Sequence, residues 1–314
     1  MEEGRKGILA MVAACVVWGL SSMYYKLLAH VPPEEVLGHR TLWSLVFFGV
    51  VLAAQGRLGE LGRLFTVPRA LAVVVLAALM ISVNWFLFIL SIQIGHAVEA
   101  SLGYYIFPLV AVALGFAVLG ERHSVTKWVA VGLACVAVAV LTWGLGVAPW
   151  VALALAATFG VYGLLKRGVP AGPVVSVTAE VLLLAPLALV WLWGVHVQGW
   201  AGLTGRTLGT FGHDLSDSVL LMLSGPLTAT PLILFSYASK RVSYATVGLV
   251  GYINPTLQFL VATLVFREAF TQWHGIAFGL IWAALALYSA ESLRQERAAR
   301  RASVRVATSG TTRT

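Results

Sequence analysis

Apolar residues run along this chain in ten blocks of about twenty, separated by short polar clusters, approximately 7–28, 36–55, 70–93, 97–119, 126–145, 148–166, 173–194, 217–238, 245–266 and 272–292. About twenty apolar residues in a helix cross a hydrocarbon core of about 30 Å. The blocks lack the ten-residue alternation of barrel strands, so the pattern predicts an all-α integral membrane protein with ten transmembrane helices. One block, "SLGYYIFPLVAVALGFAVLGE" from residue 101, carries Pro108 where a helix interior loses a hydrogen bond.

Composition agrees with this solvent. Of 314 residues, 59% are hydrophobic and 11% charged, against about 25% charged in soluble domains. Arg5 and Lys6 precede the first block, but no small-residue cleavage site follows it, so it is expected to be retained as a helix.

The net charge of +8 raises the question of nucleic acid, and its placement answers it. With the N-terminus inside, seventeen of the 21 basic residues fall on the inner side; Lys26, Arg40, Arg206 and Arg267 do not. This is the positive-inside bias, and it predicts cytoplasmic termini. The basic tail, residues 293–314, is expected to be disordered and to lie at an anionic lipid surface rather than on nucleic acid. Cys15 and Cys135 lie within blocks with no metal spacing, and neither a metal nor a cofactor is expected.

Shifting the chain by 147 positions places Tyr105, Ile106 and Pro108 on Tyr252, Ile253 and Pro255, Glu121 on Glu268, and Gly132 on Gly279. "WGLSSMYYK" from Trp18 faces "FGVYGLLKR" from Phe159 more weakly. The 1–292 transporter domain therefore reads as two repeats, 7–145 and 148–292, of five spans each. An odd span number inverts the second copy, as in secondary transporters, whose substrate site lies between the halves and is lined by interrupted helices. On that reading Pro108 and Pro255 are helix breaks facing a hydrated cavity; otherwise each only bends a helix for packing.

The stretches "HRTLWS" at 39–44, "EASLGYYIFPL" at 99–109, "TAEVLLLAPLAL" at 178–189 and "GYINPTLQFLVATLVFREAF" at 251–270 resemble the RarD branch of the EamA transporters, in the drug/metabolite transporter superfamily. The resemblance covers all ten spans. It implies two inverted five-helix repeats acting as a permease, usually an exporter of metabolites or amino acids, in a bacterial cytoplasmic membrane. Phe107 stands where the family commonly has Asn before the proline, which leaves any role of that amide to Asn254.

Buried ionisable groups in spans are functional candidates. Glu99 and Glu180 are the carboxylates expected inside the membrane, and depth favours a pair of Arg40 with Glu99, leaving Glu180 as a proton or cation site. Trp18, Arg40, Asn84, Tyr105, Tyr237, Tyr252, Asn254, Gln258 and Trp282 are the candidates for substrate contact, since organic ligands bind in apolar pockets with few placed polar groups. Glu121 and Glu268 are expected at the N-termini of the helices that follow them. There is no G-x-x-x-x-G-K-[ST], H-E-x-x-H or G-x-S-x-G motif. The chain reads as a carrier of small organic solutes, not an enzyme; a facilitated-diffusion pore or a sensor is the alternative. Solute, direction, coupling and the choice between monomer and homodimer stay open.

Overall fold

A computed structural model describes residues 2–310 except 201, 203 and 206–208, and the side chains of these residues other than 244, 245 and 299–310. Arg206 and Arg313 lie outside the described residues. The elements are α1 (Glu2–Leu27), α2 (Pro33–Ala54), α3 (Leu58–Thr66), α4 (Pro68–Gln93), α5 (Ala97–Leu119), α6 (Val125–Leu145), α7 (Trp150–Lys166), α8 (Pro173–Gln198), α9 (Leu215–Ser239), α10 (Tyr244–Gly251), α11 (Ile253–Leu260) with a π turn at Val261–Val265, and α12 (Gln272–Gly310).

Among the described residues nine helical stretches are long and apolar enough to cross a membrane, counting 246–265 as one, and α7 is a shorter apolar helix of 17 residues. Their ends gather on two sides. Residues 28–32, 94–96, 146–149, 209–214 and 266–271 form end A, tied by His30 to Asp217 at 2.8 Å and by Glu268 to the start of α5. The terminal segments and the remaining turns form end B, where Arg241 Nε meets Glu3 at 2.7 Å and Lys127 Nζ meets Gln295 at 3.0 Å.

Three sequence expectations change here. The tail expected to lack structure continues α12 through Gly310; its Ala, Arg, Glu and Gln residues are good helix formers, and no proline or glycine interrupts them before Gly310. Residues 58–66, which lie between two of the expected spans, form a helix of their own, α3, with Leu64 buried. Arg57 beside it donates to both carboxylate oxygens of Glu60 at 2.8 and 2.9 Å, which holds that carboxyl below its ordinary range.

The third change concerns the prolines. Pro108 does not break its helix, because α5 is continuous across it. Apolar helices keep such a proline when neighbours or local adjustment satisfy the freed carbonyl. The second copy does break, at Tyr252, with the π turn after it. Pro255 is then the third residue of α11, where no intrahelical N–H is required of it.

The 147-residue shift reappears in the backbone. α4, α5 and α6 start at Pro68, Ala97 and Val125; α9, α10 and α12 start at Leu215, Tyr244 and Gln272, each 147 later. Glu121 N–H bonds to Gly115 C=O at 3.1 Å, and Glu268 N–H to Ala262 C=O at 3.1 Å, again 147 apart. Between these bonds Gly120 and Arg267 both hold positive φ, 66° and 55°. Arg267 is the non-glycine residue in that conformation among the described residues, as the repeated turn demands it.

Helix crossings correspond too. A Cβ on Gly19 would stand 2.6 Å from Leu257 Cβ, and one on Gly160 3.0 Å from Val110 Cγ1, so both glycines let α1 approach α11 and α7 approach α5. Likewise α1 packs on α9 as α7 packs on α4, and α2 packs on α9 as α8 packs on α4.

Candidate functional site

The break at Tyr252 meets α5 directly. Tyr105, 3% exposed, shares a 2.6 Å hydrogen bond with the Thr256 hydroxyl, one turn beyond the break. Its ring stacks near Tyr252 at 6.5 Å and lies edge-on to Trp282 at 6.4 Å. Asn254 accepts from Gln258 Nε2 at 3.0 Å, while the buried Gln258 Oε1 has no hydrogen-bond partner. Tyr105, Tyr252 and Trp282 thus gather where α5, α11 and α12 meet, whereas Asn254 and Gln258 bond to each other on α11, where Asn254 lies beside Gly19 of α1. Trp282 is nonetheless 47% exposed.

Other candidates are used elsewhere. Asn84 is fully engaged, donating to Leu155 C=O at 3.1 Å and Thr158 Oγ1 at 2.9 Å and accepting from the Tyr104 hydroxyl at 3.2 Å. It fastens α4 to α7 and α5, as buried amides do between membrane helices. Tyr237 lies at end B beneath the Arg241 guanidinium, 3.5 Å from its ring centroid. Trp18 packs on Phe235 at 6.2 Å.

The charged residues pair differently from the expectation. Glu99 does not meet Arg40; it takes His96 Nδ1 at 2.7 Å. Glu180, wholly buried, takes Lys166 Nζ at 2.5 Å, Ser176 Oγ at 3.0 Å and Tyr162 Oη at 3.1 Å. Depth along a helix is legible in sequence, but the direction around it is not, and Arg40 meets the rings of Trp85 and Tyr25 instead.

Arg40 is 7% exposed and, among the described residues, forms no ion pair. Its guanidinium carbon sits 4.1 Å from the Trp85 ring centroid and 5.6 Å from that of Tyr25, and its Nε has no hydrogen-bond partner. Two ring faces return about 0.5–2 kcal/mol each, against an effective cost of several kcal/mol for a buried unpaired ion. The rings alone do not balance the charge. A chain of ring contacts at 5.7–5.9 Å, Tyr25 to Phe88, Tyr104, Phe159 and Tyr162, links this residue to the Glu180 cluster.

Carboxylates tie end A together, and one of them, Glu268, meets a different helix from the one expected. Glu268 accepts the Ala97 and Val98 N–H groups, each at 2.8 Å, and so caps α5, not α12. α12 needs no such help, since His274 Nδ1 accepts the Thr271 N–H at 3.2 Å. Glu35 accepts N–H groups of Gly209, Thr210 and Phe211 at 3.1, 2.9 and 3.1 Å, and Glu34 that of Thr204 at 3.2 Å. Glu34 and Glu35 were invisible as functional groups because they precede the second apolar block. His39 and His196 bring ligand atoms within 4.8 Å of Glu35, although its carboxylate is already occupied by the loop.

At end B the counterpart of Glu268 behaves differently. Glu121 pairs with Arg167 at 2.6 Å and lies 3.6 Å from His123. Ser243 caps α10 itself, accepting the Thr246 N–H at 3.2 Å. An open cleft of about 300 Å³ lies there, lined by Gly4 and Ile8 of α1, Val242, Ser243, Thr246 and the α12 residues Leu293, Glu296 and Arg297.

The EamA-like transporter family model matches residues 5–143. The chain is 41% identical over 300 residues to Protein RarD of Streptomyces exfoliatus, covering 95% of this chain and 93% of that one. It is 38% identical over 293 residues to an uncharacterized transporter of Pseudomonas aeruginosa, covering 93% and 96%. Protein RarD of Escherichia coli K12 is 34% identical over 296 residues, covering 94% and 98%. A solved crystal structure shares the fold at TM-score 0.56 and 20% identity, covering 90% of this chain and 96% of that one.

Proposed function

This chain belongs to the EamA-like transporter family, alongside proteins named RarD, and on that premise we propose that it is a secondary transporter of small organic solutes. Ten spans form two inverted five-helix repeats in a bacterial cytoplasmic membrane, both termini are cytoplasmic, and end A faces outward. Solute passes by alternating access, one end closing as the other opens.

The observation that carries this reading is the unequal use of two equivalent carboxylates. Glu268 locks the N-terminus of α5 at end A. Glu121, 147 residues earlier, is engaged with Arg167 instead. Its matching target, the start of α10, stands beside the open cleft. An inverted repeat with one gate made and its partner unmade describes a carrier halted in its inward-facing state. In the outward-facing state Glu121 would take the α10 N-terminus and Glu268 would let go of α5. The helix N-terminus favours a carboxylate in either place.

The test is flux in proteoliposomes of the purified chain, offering a panel of labelled amino acids and other small metabolites with and without an imposed proton gradient. Accumulation that depends on the gradient supports coupled transport. Downhill equilibration only supports facilitated diffusion, and no flux from any solute removes the reading.

A further inference from the structure

Among the described residues, Arg40 is a buried charge with no counter-ion. It is 93% buried, its Nε has no hydrogen-bond partner, and no carboxylate of the described residues pairs with it. One turn along the same face of α2, Ser44 is wholly buried and its hydroxyl is also unpartnered, although helical serines usually bond to their own backbone. Ser22, Ser91, Ser101 and Ser224 all do so here.

The surroundings narrow what could satisfy both groups. Trp85, Tyr24 and Tyr104 are half-buried and Tyr25 is buried, and the field of Arg40 reaches all three tyrosines. Tyr24 and Tyr104 already donate their hydroxyls, to Leu220 C=O and to Asn84. What remains is one cation and one serine hydroxyl inside an aromatic wall. A planar oxyanion of single charge matches them, since a carboxylate takes a guanidinium through two parallel hydrogen bonds. A phosphate dianion would bring a second charge that nothing on this face neutralises.

We propose that Arg40, with Ser44, binds the carboxylate of the transported solute, so that the substrates are monocarboxylates whose apolar body rests against Trp85 and Tyr25. This deepens the transporter reading and rests on it for the word substrate; the binding site itself does not depend on flux. The unpaired cation then explains itself, because the residue that would neutralise it arrives with each solute.

The experiment uses the full purified chain in detergent, with benzoate and phenylacetate as probes, benzamide and phenylacetamide as their uncharged matches, and inorganic phosphate as a third arm. Saturable binding is read from the rise in apparent unfolding temperature and from calorimetry. Acids are expected to bind and their amides not, Arg40→Gln to weaken acid binding roughly ten- to hundredfold, and Arg40→Lys to weaken it less. Equal binding of acid and amide, phosphate binding in place of the acids, unchanged acid binding by Arg40→Gln, or no acid binding at all would each overturn the proposal. If Arg40→Gln does not fold, the acid and amide arms on the unaltered chain decide alone. Acid binding without flux in proteoliposomes keeps this site and removes the transport reading; flux confined to uncharged solutes does the reverse.

Discussion

Glu268 reaches across 171 residues of sequence to accept the Ala97 N–H at 2.8 Å, and so joins the second half of the chain to the N-terminus of a helix in the first. Charge-assisted bonds of this kind contribute about 1.5–3 kcal/mol. Two of them tie the turn that carries Glu268 to the start of α5.

Glu268→Gln should therefore loosen end A. With Cys15 and Cys135 replaced, a reporter cysteine at Ser101, buried one turn below the lock, should react with an impermeant maleimide roughly tenfold faster in the Glu268→Gln background, the change that about 1.4 kcal/mol in population gives. Equal labelling rates would show that the cap is not a gate.

The close approach at Gly19 predicts opposite signs for two equal substitutions. Gly19→Ala places a Cβ 2.6 Å from Leu257 Cβ, and overpacking of this kind costs about 1–3 kcal/mol. Gly132→Ala, which meets nothing within 4 Å, should be neutral or stabilise by up to about 1 kcal/mol through helix propensity. Thermal unfolding in detergent reads both.

The Lys166–Glu180 pair should show the asymmetry of buried ions. Glu180→Met strands a buried ammonium and should cost about 3–5 kcal/mol, whereas Lys166→Met with Glu180→Met should recover much of that loss. A double variant less stable than either single one would mean the pair itself supplies the stability.

Much of this was legible beforehand, in a particular order. Hydropathy placed the helices because the bilayer makes length and polarity nearly sufficient, and Tyr-Ile-x-Pro at 105–108 and 252–255 gave the shift that the helix starts at Pro68 and Leu215 repeat. Azimuth was hidden. Arg40 and Glu99 match in depth, but a hydropathy profile has no angular coordinate, and the guanidinium turns to Trp85 instead. Glu268 was seen as repeated but assigned to the helix that follows it, whereas it caps α5, since capping a distant helix depends on tertiary packing. Pro108 misled because a proline's local cost is offset in an apolar bundle without breaking the helix.

The most direct test of alternating closure is a pair of spin-label distances, one at each end, measured with and without a saturating bound solute. Labels at Ile94 and Ala269 report end A, and labels at Leu119 and Lys240 report end B; all four side chains are exposed. The account predicts that one distance lengthens as the other shortens. Two distances that stay fixed, or that change in the same direction, would contradict it.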